Sequence, residues 1–172
     1  MIATRDIHVR PATRADAPAL EAILRDTFES TWKPQIRPEV AQAHMSENRP
    51  ATFVAEQGLQ FWVAERDGEV VGLVHWVSDF INALHVPSRH ARTGVGACLM
   101  DLAEAKITEA GFSAVRLETD TFNVASQAFY LGRGYQETGR YPDEEWDSDL
   151  TTVLYLKTVW LLSVPTNWHQ AG

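Results

Sequence analysis

The residues with most scope for chemistry lie in Ile81–Gly96, INALHVPSRHARTGVG, where a strand-like run feeds a glycine-containing loop that opens a helix. Backbone N–H groups in the first turn of a helix lack intrahelical partners and carry partial positive charge, so they can hold a phosphate. Gly94 and Gly96 omit side chains that would keep a pyrophosphate from the amides of Ala91–Ala97. Arg89 and Arg92 add mobile positive charge beside them. Glycine spacing alone reads equally well as a loosened loop with solvated arginines. Two commoner phosphate motifs do not fit: no Gly-Lys pair exists for a P-loop, and Leu99 stands where a dinucleotide fingerprint needs its third glycine.

A second segment, Asn123-Val124-Ala125-Ser126-Gln127-Ala128-Phe129-Tyr130, reads as a helix start. Asn123 and Tyr130 then share a face, about 10 Å apart along the axis. Asn123 reads also as an N-cap and Tyr130 as a core aromatic.

The elements around these segments follow from periodicity. Strands are expected at Ile7–Arg10, Phe61–Arg66, Val70–Val77, Phe80–Val86, Ala114–Thr119, Tyr135–Tyr141 and Thr151–Val159. Helices are expected at Ala17–Phe28, Glu39–Met45, Gly94–Ala110 and Val124–Arg133, with Val95, Leu99, Leu102, Ala103, Ile107 and Ala110 forming the apolar stripe of the third. Asp67-Gly68 marks a hairpin. The expected order is β-α-α-β-β-β-α-β-α-β-β, an α+β (mixed α/β) fold whose mixed sheet is covered by helices.

The 172 residues suit one domain, and 23 acidic against 15 basic side chains argue against a nucleic-acid binder. Cys98 is the single cysteine, so no intrachain disulfide forms, which fits a reducing compartment. No signal-like or membrane-spanning apolar run is read, and the expected location is cytoplasmic. The six histidines show no metal-ligand spacing, so no metal is expected. The apolar residues Trp160, Leu161, Leu162, Val164 and Trp168 are expected to pack on their own domain or across a homodimer contact.

Leu84-His85-Val86, then Ala91-Arg92-Thr93-Gly94-Val95-Gly96, resembles the strand end and acetyl-CoA pyrophosphate loop of the GNAT superfamily of N-acetyltransferases. Ala91 departs from that family's usual Gln or Arg. The segment from Asn123 to Tyr130 and Gly134-Tyr135 is similar to the family's Asn-x-x-Ala/Ser-x-x-x-Tyr and Gly-Phe/Tyr run, and the resemblance covers roughly residues 5–158 of a single domain spanning 1–172. It implies a strongly twisted sheet with helices on both faces and direct acetyl transfer from acetyl-CoA to a primary amine of a small molecule or peptide. Leu84, His85, Val86 and Ala91–Ala97 (Ala91, Arg92, Thr93, Gly94, Val95, Gly96, Ala97) would meet the donor, with Asn123 and Ser126 along its pantetheine arm. Tyr130 would protonate the departing thiolate, and Glu118 is a candidate base alongside water. Trp32 and Asn82 would belong to the acceptor pocket, where Trp76 and Trp146 are further candidates. The acidic run Tyr141–Leu150 would flank the acceptor's entrance, with Asp143, Glu144, Glu145, Asp147 and Asp149 attracting a cation; read from the residues alone it is a solvated acidic turn with Trp146 folded onto the core. A non-catalytic acyl-CoA-binding module on the same fold is the alternative, and Tyr130 favours the enzyme.

Overall fold

The computed structural model describes residues 6–159, and in them the alternating apolar runs join one seven-stranded mixed sheet. The strands are β1 (His8–Pro11), β2 (Trp62–Arg66), β3 (Glu69–Val77), β4 (Phe80–His85), β5 (Ala114–Asp120), β6 (Gln136–Pro142) and β7 (Thr151–Thr158). Their order across the sheet is β1-β2-β3-β4-β5-β7-β6, with every pairing antiparallel except β4 with β5. Asp67 and Gly68 both take positive φ, 52° and 78°, as a tight β2–β3 turn requires.

The helices are α1 (Ala17–Thr27), α2 (Pro38–Ser46), α3 (Arg49–Gln57), α4 (Val95–Glu109) and α5 (Val124–Gly132). Helix α3 corrects the expected order, which becomes β-α-α-α-β-β-β-α-β-α-β-β. Its sequence RPATFVAEQ buries only Pro50 and Val54, too few apolar positions to set up a visible period. Helix α4 buries Val95, Leu99, Met100, Ala103 and Ile107, so Met100 joins the expected stripe and exposed Ala110 leaves it. The apolar segment from Trp160 onward lies outside the described residues.

Helices α4 and α5 contribute to the core on one face, where Leu99, Met100, Ile107 and Tyr130 pack with Val71, Val74, Leu117 and Tyr155. Helices α1 and α3 cover the other face, Leu20, Ile23 and Val54 packing with Phe61, Val63 and Leu73. Gly72 on β3 sets how near α4 can come: a Cβ there would stand 2.8 Å from Val95 Cγ1 and 3.0 Å from Leu99 Cδ1. Gly72→Ala therefore overpacks the contact that seats the start of α4. We expect a loss of roughly 1–3 kcal/mol, read as a melting temperature lowered by several degrees; an unchanged melt would show that α4 shifts freely.

Candidate active site

Strands β4 and β5 run parallel but pair only at Phe80–Arg116 and Ile81–Leu117. Beyond Ile81 they diverge. Both starts are clamped: Arg116 N donates to the Asp79 carbonyl at 2.8 Å, and its guanidinium grips the Asp79 carboxylate at 2.8 and 2.9 Å. A bulge helps to open the far end. Trp76 pairs with Ile81 and His75 with Ala83, leaving Asn82 as the extra residue. Ile81 consequently packs with the α4-side core and Ala83 with the α1-side core, although two residues apart they would otherwise share a face.

The gap opens into a cavity of about 470 Å³ lined by Leu84, His85, Asn82, Glu118, Asn123, Ser126 and Tyr130, and by Trp32 from the other side. These sequence-predicted residues are thus brought together. Tyr130 is 7% exposed and packs on Tyr135 and Tyr155. Burial pushes its phenol up to about 12, with the Ser126 hydroxyl opposing the shift, so it remains a proton donor across ordinary pH. Ser126 Oγ in turn accepts from Thr119 Oγ1 at 3.1 Å. Asn123 caps α5, its Oδ1 accepting from Ser126 N at 3.1 Å.

Past β4, Ser88–His90 make a short turn that ends in the loop to α4. Arg92 and Gly94 both have positive φ, 61° and 89°. Among the described residues, no backbone carbonyl accepts from the amides of Arg92 through Ala97, and a Cβ on Gly94 would have nothing within 4 Å. Unpaired amides around an open space, at the positive end of a fifteen-residue helix, make an anion cradle. The amide of Ala91 is not part of it, because it donates to the Ser88 carbonyl at 3.2 Å. A Cβ on Gly96 would stand 3.4 Å from the Phe129 ring and 3.9 Å from Val86, both ordinary contacts. Arg89 is not a mobile charge, since it pairs with Glu69 at 2.6 Å. Arg66, which the sequence reading passed over, holds the Thr93 carbonyl at 3.1 Å and braces the loop.

Much of the cavity wall is acidic and aromatic. After α1 the chain widens through Phe28–Trp32, with Lys33 N bonding to the Phe28 carbonyl at 2.9 Å, and both Phe28 and Trp32 reach the cavity. Trp32 Nε1 donates to Asp120 Oδ2 at 3.0 Å, and its ring lies 6.0 Å from the His85 ring, so it spans the open end of the gap. Trp146 comes from the β6–β7 connection, 6% exposed and stacked on Phe28 at 5.7 Å and Trp32 at 6.0 Å. His44 lies 3.9 Å from Phe28, both its ring nitrogens buried without a partner, and burial lowers its pKa. Burial also pushes His85 down to about 4; its Nδ1 lies 2.8 Å from Thr27 Oγ1 and its imidazole stays neutral. Trp76 is elsewhere, stacked on Trp62 at 6.4 Å.

Four carboxylates line this wall: Glu118, Asp120, Asp143 and Glu145. Burial raises the pKa of Asp120, the Trp32 hydrogen bond opposes the rise, and Asp143 and Glu118 add to it. Glu145 is exposed as a residue, yet desolvation of its carboxyl at the cavity, then Asp143 and Asp120, raise its pKa too. Of the other acidic residues in the loop, Asp147 faces away to Arg37 at 2.6 Å, and Glu144 and Asp149 do not reach the cavity. The sequence reading missed Asp120, whose signal was its place two residues from Glu118 on the same face of a strand. Phe28 and His44 had no such signal, because only the packing of α1 and α2 brings them in. Among the described residues no group of three His, Cys, Asp or Glu side chains is gathered to hold a metal ion, and no helix is long and apolar enough to cross a membrane.

Comparison with known proteins agrees with this geometry. The chain is 30% identical over 106 residues to N-acetyltransferase 8B of Rattus norvegicus, covering 55% of this chain and 48% of that one. It spans about half the length of the curated relatives it matches. The fold matches apo YjaB from Escherichia coli with a TM-score of 0.72 at 19% identity, over 88% of this chain and 97% of that one. It also matches the PaiA N-acetyltransferase of Thermoplasma acidophilum, solved with coenzyme A, with a TM-score of 0.69 at 16% identity, over 90% of this chain and 99% of that one. The family model of the GNAT acetyltransferases matches residues 17–135, more than half of the chain, which therefore belongs to that family.

Proposed function

We propose that this chain transfers the acetyl group of acetyl-CoA directly to a primary amine of a small molecule or peptide, within a ternary complex. The observation that carries the reading is the gap between β4 and β5, with an anion cradle on one side and an acidic, aromatic cavity on the other. Acetyl-CoA is an anion with a long neutral arm. Its pyrophosphate suits the amides of Arg92–Ala97, and its arm suits the gap past Leu84–Val86 and the Asn123–Ser126 face of α5. The unpaired side of β4 beyond Ile81 supplies N–H donors where charge develops on the acetyl oxygen. Tyr130 serves as proton donor to the departing sulfur, and a β5 carboxylate, Glu118 in the sequence reading, removes the amine's proton. The chemistry uses no metal, nucleic acid or membrane, and the single Cys98 suits the cytoplasm.

The reading is tested by thiol release from acetyl-CoA in the presence of alkylamines, amino acids, polyamines and peptides with free N-termini or lysines. Release dependent on one amine class, with the acetylated amine identified by mass, is the expected result. Acetyl-CoA binding without transfer to any of them would leave a binding module. The acidic wall favours a cationic acceptor. Asp143→Asn with Glu145→Gln should raise the acceptor KM by about 2–5-fold, the scale of a partly exposed ion pair. The acetyl-CoA KM should stay constant and the salt dependence should flatten. Equal change in both KM values would reduce the loop to surface.

A further inference from the structure

We infer that Asp120, rather than Glu118, accepts the proton that the acceptor amine must lose, and that Trp32 holds Asp120 in place for it. The inference rests on the acetyltransferase reading above and names a residue for its least defined step. Asp120 is 8% exposed and lies at the last position of β5, where the gap is widest. One of its oxygens, Oδ2, is occupied by Trp32 Nε1 at 3.0 Å. The other, Oδ1, takes no hydrogen bond from the described residues, and Asp120 lines the cavity. Oδ1 is therefore open to the cavity, where a donor entering with the acceptor can reach it. An ammonium group is such a donor. Glu118 lacks these features: it is exposed, and it contacts the Tyr141 phenol.

The surroundings suit a base. Facing the same cavity are Glu118 from β5, Asp143 and Glu145 from the β6–β7 connection, His44 from α2, Arg49 from α3 and His85 from β4. Burial and the neighbouring carboxylates bring the Asp120 pKa up toward working pH, where a base is most effective. His85 is the other candidate, but its Nδ1 is already engaged by Thr27 Oγ1 at 2.8 Å. The ammonium N–H bond breaks and its proton goes to Oδ1, leaving a neutral amine. The nitrogen lone pair forms the C–N bond to the acetyl carbonyl carbon. As the C–S bond breaks the departing sulfur takes the Tyr130 phenol proton, the second proton on the new amide nitrogen passes through water to restore the phenol, and Asp120 returns its proton to solvent.

Three measurements decide it. The first needs no acceptor: the indole N–H resonance of Trp32, followed by NMR against pH, should titrate with a midpoint above the ordinary carboxylate range and lose that transition in Asp120→Asn. The second is kinetic. Asp120→Asn keeps an oxygen for the indole N–H, and should lower kcat for the fastest alkylamine of the panel by about 100-fold, with acetyl-CoA affinity unchanged. Hydroxylamine, already neutral near neutral pH, needs no proton removed before attack and should lose little or nothing in the same variant. Third, Trp32→Phe removes the hydrogen bond that lowers the Asp120 pKa, so the acid limb of kcat/KM should move to higher pH. A Trp32 midpoint at or below the ordinary carboxylate range overturns the assignment. So does a rise in KM with kcat intact, which would make Asp120 an anchor, or an equal loss for hydroxylamine and alkylamine. A wild-type protein that acetylates no amine overturns the function itself, whatever Trp32 reports.

Discussion

Gly94→Val should lower acetyl-CoA affinity by about 100-fold, the equivalent of about 3 kcal/mol or two charge-assisted hydrogen bonds. Gly94 has φ +89°, and a Cβ built on it meets nothing within 4 Å. That open space is where a phosphate would sit against the amides of Arg92–Ala97. A valine fills it, and it also forces a β-branched residue into a left-handed conformation at about 1–2 kcal/mol. Gly94→Asn separates the two effects, because asparagine tolerates positive φ while its side chain still occupies the cradle. Calorimetry on both variants, with circular dichroism to establish folding, should find the Asn variant stable and weak-binding. Full affinity in either folded variant would move the phosphate site elsewhere.

Tyr130→Phe should lower kcat by about 100-fold or more while acetyl-CoA affinity stays close to that of the parent. The ring packs between Tyr135 and Tyr155, centroids 5.6 and 6.3 Å away, so phenylalanine keeps the core contacts and removes only the hydroxyl. The pH dependence gives a second test. A phenol pushed up to about 12 is protonated throughout the working range, and loses its proton only as pH rises through that value. An alkaline limb of kcat/KM falling well below pH 12 must therefore belong to another group, and it should persist in Tyr130→Phe. Turnover at the parent value under conditions where chemistry limits the rate would remove Tyr130 from the mechanism.

The glycine loop before α4 and the start of α5 were legible because local sequence makes them. Gly94 opens the loop, Asn123 caps α5 and Tyr130 follows two turns later, so spacing along the chain sets spacing in the site. The Asp67-Gly68 turn and the strand runs were legible for the same reason: turn chemistry and period-two alternation act over a few residues. Helix α3 escaped because a nine-residue helix with two buried positions carries almost no periodic signal. The free arginine expected at Arg89 was really one half of an ion pair, since Glu69, its partner, is twenty residues away on a neighbouring hairpin.

The sequence by itself determined the class of sheet, the glycine loop that opens α4 and the line of residues from Asn123 to Tyr130, because each depends on neighbours within one or two turns of chain. Only the tertiary structure decided which side chains share the acidic, aromatic end of the cavity. Phe28, Trp32, His44, Asp120 and Trp146 come from α1 and its wide final turn, α2, β5 and the β6–β7 connection. What joins them is long-range packing: Trp146 stacks on rings more than a hundred residues earlier, and Trp32 donates to a carboxylate 88 positions away. The depth at which that packing buries Asp120 raises its pKa, since desolvation acts on the folded surroundings of a carboxyl and not on its neighbours in sequence.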